Sequence, residues 1–161
     1  MEERAGRTGR AGQAGPAGCG RHRLCYDVPV TVASPDVYAV LTRVAAAAPG
    51  LQMLLLHGSR ARNEAHAHSD WDFAYEADAA FDADALLAAL ADALHADKID
   101  LVDLDRAGAL FRHRVARDRV VLFERTPGRF DRFWLNAVDT WCDLAPVLEP
   151  LYARALETPT G

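Results

Sequence analysis

Two aspartates with one residue between them, Asp70 and Asp72, constrain this chain most, because of what precedes them. An apolar run, Leu54-Leu55-Leu56-His57, enters Gly58-Ser59-Arg60-Ala61-Arg62, and the chain then loops back to Asp70-Trp71-Asp72. Side chains alternate across a strand, so Asp70 and Asp72 are expected on one face and Trp71 and Phe73 on the other. Two carboxylates side by side repel unless a cation lies between them. Hard divalent ions such as Mg²⁺ take oxygen ligands from one or two carboxylates and from substrate phosphates. A glycine at 58 lets backbone approach phosphate closely, and Ser59 adds a hydroxyl for a terminal phosphate oxygen. Arg60 and Arg62 are candidates for further positive charge there, against the competing reading of solvated surface arginines. A solvated strand with two exposed acids would explain Asp-x-Asp, but not the Gly-Ser turn before it. The stretch predicts a metal-nucleotide site.

A third acid on a neighbouring strand would let two metal ions be bridged and an attacking oxygen be activated. Asp100 and Asp103 are the candidates. They stand three positions apart and point to opposite faces of any strand they share, so at most one joins the pair. Periodicity does not choose between them.

Gly58-Ser59, ten intervening residues and Asp70-x-Asp72 resemble the signature of the minimal nucleotidyltransferases, relatives of DNA polymerase β. Ser59-Arg-Ala-Arg62, Ser69-Asp-Trp-Asp-Phe73, Lys98-Ile-Asp-Leu-Val-Asp103 and Val121-Leu-Phe-Glu-Arg125 carry the likeness on, over roughly residues 35 to 157. It is strongest to the antitoxins of HEPN/MNT toxin–antitoxin pairs. Asn63 departs from the glycine usual after Ser-Arg-Ala-Arg, but asparagine tolerates left-handed backbone angles better than most residues. The resemblance implies a polymerase-β-like α/β fold: a small mixed sheet with helices packed on one face and a long helical C-terminus. It places the third acid at Asp100. It further implies that Asp70, Asp72 and Asp100 bind two Mg²⁺ ions, with Gly58, Ser59, Arg60 and Arg62 at the phosphates of ATP. The expected activity is that of a type VII-like antitoxin, moving AMP from ATP to a tyrosine of a partner HEPN ribonuclease toxin. Two alternatives differ in class: a non-enzymatic antitoxin that neutralises by binding, and an enzyme that adenylylates a small molecule such as an aminoglycoside.

The net charge of −5 hides an asymmetry, since residues 1–24 carry five Arg against two Glu, leaving −8 on the rest. An acidic body argues against a nucleic-acid phosphate groove but not against ATP, whose charge a metal meets locally. Lys98 is the only lysine, which rules out a phosphate-loop lysine of the kinase or Walker kind. Cys19, Cys25 and Cys142 lack zinc-site spacing and suit free thiols in a reducing cytosol. No apolar run approaches a membrane span and the N-terminus has no apolar signal core, so a cytoplasmic protein is expected.

Along the chain, residues 1–24 form a Gly/Ala/Arg-rich tail with glycine at every third position from Gly6 to Gly18, too short a repeat for collagen and read as disordered. Residues 25–126 form the expected nucleotidyltransferase domain, and 127–161 a helical extension packing on the domain or the partner. Tyr26 to Val32 suits an edge strand, and Ser34-Pro35-Asp36 a helix start. Strands are expected over 51–57, 70–76, 99–104 and 120–124, with helices over 82–95 and 107–116 and a short one beginning at 59. The helical region from Arg129 to Leu156 should break or bend at Pro146 and Pro150. His66 and His68 suggest zinc but sit in a loop without a further clustered ligand, and fit solvent exposure better. His57 suits a half-buried strand end. Trp134 and Trp141, seven residues apart, mark one helical face for core or interface.

Overall fold

The computed structural model describes residues 35–66 and 69–157. The N-terminal tail, the expected strand before Ser34, the Ser34 cap and His68 lie outside the described residues. Among the described residues, four strands form one sheet in the order β3-β2-β1-β4. β1 (Leu51–His57) lies beside β2 (Trp71–Ala77) and β4 (Val120–Glu124), antiparallel to each, while β3 (Ile99–Asp103) adds to β2 in parallel. The four spans match expectation to within a residue at each end.

β1 is apolar on both faces because both faces of the sheet are covered. Leu54 and Leu56 join Phe73 in a core closed by α1 (Pro35–Ala47) and α3 (Ala83–Leu94) through Leu41, Ala45, Leu86 and Leu90. Met53 and Leu55 join Ala74 in a second core closed by α4 (Ala109–Asp118) and the start of α5 (Arg129–Glu157). The expected mixed sheet and long helical C-terminus are present, but helices pack on both faces and not on one, since α4 covers the second face together with the start of that C-terminus. α3 forms the crossover that a parallel β2–β3 pair requires. Its N-cap is Asp82, whose carboxylate accepts the Ala85 N–H at 3.0 Å, and it stops at His95 in the left-handed conformation.

α5 is launched from fixed points. The two carboxylate oxygens of Glu124 accept the Gly128 and Phe130 N–H groups at 3.0 and 3.2 Å. The guanidinium of Arg129 donates to the buried Glu76 carboxylate at 2.8 Å. Phe130, Phe133 and Ala137 are buried, Trp134 packs beside them, and Trp141 stacks on His113 of α4 at 5.5 Å. Farther along, Leu144, Val147, Leu151 and Tyr152 are exposed.

Of the break or bend expected at Pro146 and Pro150, a break does not occur, and α5 runs as one helix through both. A helical proline forfeits one bond to the carbonyl four residues back. These two prolines stand four apart, so their missing bonds fall on one side of the helix, and the exposed prolines leave those carbonyls within reach of water.

Candidate active site

The register of three strands builds the site at one end of the sheet. His57, the last residue of β1, pairs with Asp72 of β2, and Asp72 pairs with Asp100 of β3. Paired residues in neighbouring strands share a face, so Asp72 and Asp100 lie side by side. Asp103 pairs instead with Tyr75, on the opposite face. There it accepts the Asp105 N–H at 2.9 Å and a weak ion pair from Arg106 at 3.4 Å.

Asp70 falls one residue ahead of β2 and not within it. Its position comes from Arg60, whose guanidinium donates to the Ser69 and Asp70 carbonyls at 2.6 and 3.0 Å and lies 4.1 Å from the centre of the Trp71 ring. Trp71 in turn stacks on Phe73 at 6.0 Å, rooting this clamp in the first core. Asp70 itself is exposed, with Lys98 3.9 Å away.

β1 passes directly into α2 (Gly58–Ala61) through Gly58 at φ +71°. A Cβ at Gly58 would stand 2.1 Å from an oxygen of Asp72, so the glycine is required both by its backbone angle and by this carboxylate. Asn63 closes the turn at φ +64°, a left-handed angle that asparagine tolerates better than most residues. The Ser59 carbonyl accepts the Glu64 N–H at 2.9 Å, and the Gly58 carbonyl the Arg62 N–H at 3.2 Å. The Arg62 side chain binds Glu64 and Asp118 at 2.8 and 2.9 Å. Both candidate arginines are therefore engaged with protein groups.

Electrostatics mark the site as short of positive charge. Burial pushes the Asp72 carboxyl above its ordinary range, and Asp100 and Asp70 push it further, against the pull of His57 and Arg60. Burial likewise pulls the His57 imidazole down, opposed chiefly by Asp72 and Asp118. The His57 ring meets Phe111 of α4 edge-on at 5.3 Å, and its Nε2 is buried without a hydrogen-bond partner. The place of His57 opposite Asp72 comes from strand pairing, which local sequence does not display. Among the described residues, no three acid, histidine or cysteine side chains converge as a ready-made metal cage. The donor set nonetheless fits a hard divalent cation: carboxylate oxygens only, the Asp72 carboxyl raised in pKa by burial and then by its acidic neighbours, and a glycine whose backbone approaches that carboxylate closely.

A four-stranded mixed sheet with a Gly-Ser turn closed against one of two paired aspartates is an arrangement that suits a nucleotidyltransferase. Residues 41–127 match the polymerase beta nucleotidyltransferase family, and the chain belongs to it. It is 40% identical over 98 residues of alignment to protein adenylyltransferase MntA of Aphanizomenon flos-aquae. That match covers 53% of this chain and 65% of the relative, so the chain spans just under two thirds of that protein. A chain in a crystal structure of a toxin–antitoxin with AMP-PNP superposes with a TM-score of 0.61 at 26% identity, over 77% of this chain and 99% of that one. A chain from the complex of tri-AMPylated Shewanella oneidensis HEPN toxin with MNT antitoxin gives 0.58 at 23% identity, over 74% and 96%, a likeness of fold. Among the described residues no helix is long and apolar enough to cross a membrane.

Proposed function

We propose that this chain is an antitoxin that acts as a Mg²⁺-dependent protein adenylyltransferase, moving AMP from ATP to a tyrosine of a HEPN-domain toxin in the cytoplasm. The observation that carries the reading is the in-register Asp72–Asp100 pair with Gly58 closed against Asp72. Support comes from the family, from the adenylyltransferase relative, and from a toxin–antitoxin neighbour with an ATP analogue.

Asp70, Asp72 and Asp100 would hold two Mg²⁺ ions, which neutralise triphosphate charge and lower the pKa of the acceptor hydroxyl. The Gly58-Ser59 turn presents backbone N–H groups and the Ser59 hydroxyl to the leaving phosphates. Arg60 and Arg62 add positive charge beside that turn while holding it in place. Asp100 takes the proton as the tyrosine oxygen bonds to the α-phosphorus. The bond from that phosphorus to the bridging oxygen breaks, and pyrophosphate leaves. The product bears a negatively charged phosphodiester, which disfavours binding of RNA to the modified toxin.

The exposed apolar positions of α5 fit docking of the helical extension on the toxin, and they equally serve an antitoxin that works by binding alone. Incubation with α-labelled ATP, Mg²⁺ and the product of the neighbouring gene, tested as the toxin, separates the two. Label is expected on the toxin with wild type and not with Asp70→Ala or Asp72→Ala. A tight complex without label under any condition would leave the binding antitoxin.

A further inference from the structure

α2 is a four-residue helix, far too short to hold itself together, so whatever fixes the Gly58-Ser59 turn must lie outside it. One side is tied by Arg60 to the backbone ahead of β2. The other side ends at Arg62, which caps α2 and reaches across 56 positions of sequence to Asp118, the last residue of α4. The Asp118 side chain is 9% exposed, against 39% for Arg62. One of its oxygens accepts Arg62 at 2.9 Å, and Arg117 binds both at 2.6 and 3.1 Å. The remaining bond of Arg62, to Glu64, runs to a side chain 62% exposed and carries little energy.

We infer that Asp118 is a positioning residue: acting through Arg62, it anchors the turn that closes Gly58 against the Asp72 carboxylate. A charge-assisted bond between a nearly buried carboxylate and a guanidinium is strong and directional, and it joins the turn to the helix that also packs Phe111 on His57. Arg117 binds both Asp118 oxygens, sharing one with Arg62, but does not touch the turn, and so separates anchoring from mere stability. The inference deepens the nucleotidyltransferase reading and rests on it for its consequence in ATP binding.

The test compares Asp118→Asn, Arg62→Gln and Arg117→Ala in the full chain by amide hydrogen exchange, Tm, and the Kd of a non-hydrolysable ATP analogue with Mg²⁺. Asp118→Asn and Arg62→Gln are expected to speed exchange at residues 59–63 and to raise that Kd about tenfold. Combining them should add nothing further, and Asp118→Glu should restore part of the protection. Arg117→Ala is expected to lower Tm while leaving exchange at 59–63 and the Kd unchanged. Unchanged exchange at 59–63 in Asp118→Asn and Arg62→Gln would overturn the inference, as would equal loosening by Arg117→Ala. A wild type that fails to bind the analogue refutes the nucleotide reading instead, and the exchange comparison still decides the anchor.

Discussion

Asp72 is an acid placed where its own charge is unwelcome. Its folded pKa stands above the unfolded value, so the folded state holds the proton more tightly. Stability from this group is present below the unfolded carboxylate range and is lost as pH rises through the raised pKa. At neutral pH without divalent ions, Asp72→Asn should therefore raise Tm, by about 2–4 °C. Mg²⁺ should stabilise wild type and not this variant, and AMP transfer should fall at least about a hundredfold. A lower Tm for Asp72→Asn in the absence of metal would contradict this account. Gly58→Ala tests the same contact from the other side. Its Cβ would displace the Asp72 carboxylate and occupy a positive φ, which costs about 1–2 kcal/mol of stability and most of the transfer activity. Denaturant unfolding and labelled-ATP assays read the two effects separately. Gly58, Ser59, Asp70 and Asp72 were legible because they are near in sequence and their chemistry is local. The partners of Arg60 and Arg62 were not: one pair of bonds closes a loop of ten residues, and the other needs the end of α4.

Among the elements, α5 shows two regimes in one helix. Phe133 is buried against the sheet, and Phe133→Ala should cost about 3–5 kcal/mol in denaturant unfolding. Leu144→Asp with Leu151→Asp changes exposed positions and should stay within about 0.5 kcal/mol of wild type, while loosening the toxin complex in a binding assay. Unchanged toxin binding would remove α5 from that interface. The tie between α2 and α4 has its own pH signature. Burial raises the Asp118 pKa, but Arg117 and Arg62 outweigh it and leave the group below its ordinary value. Its stabilisation is present above the unfolded carboxylate pKa and is lost as pH falls through the lowered folded one. Acid unfolding of Asp118→Asn should accordingly be flatter than that of wild type across this window. Helix periodicity revealed α3 and the buried face of α5. It left open whether the prolines would break the helix, because the cost of a proline depends on whether its orphaned carbonyl is buried, and burial is a tertiary fact.

For the whole molecule, the sheet's order does the assembling. β1 lies in the middle, so its apolar run on both faces announced a buried strand but not its neighbours. Antiparallel pairing with β2 brings His57 to Asp72, and parallel pairing of β3 brings Asp100 to Asp72 and sends Asp103 to Tyr75. Alternation along a single strand leaves Asp100 and Asp103 as equals. Only the direction and register of the β2–β3 pair distinguish them. Substitution of each of these two acids, followed by AMP transfer from labelled ATP to the toxin, is the most direct test that this register builds the active site. Asp100→Asn is expected to abolish transfer while remaining folded, and Asp103→Asn to retain most of it. Transfer that survives Asp100→Asn and is lost with Asp103→Asn would contradict the account.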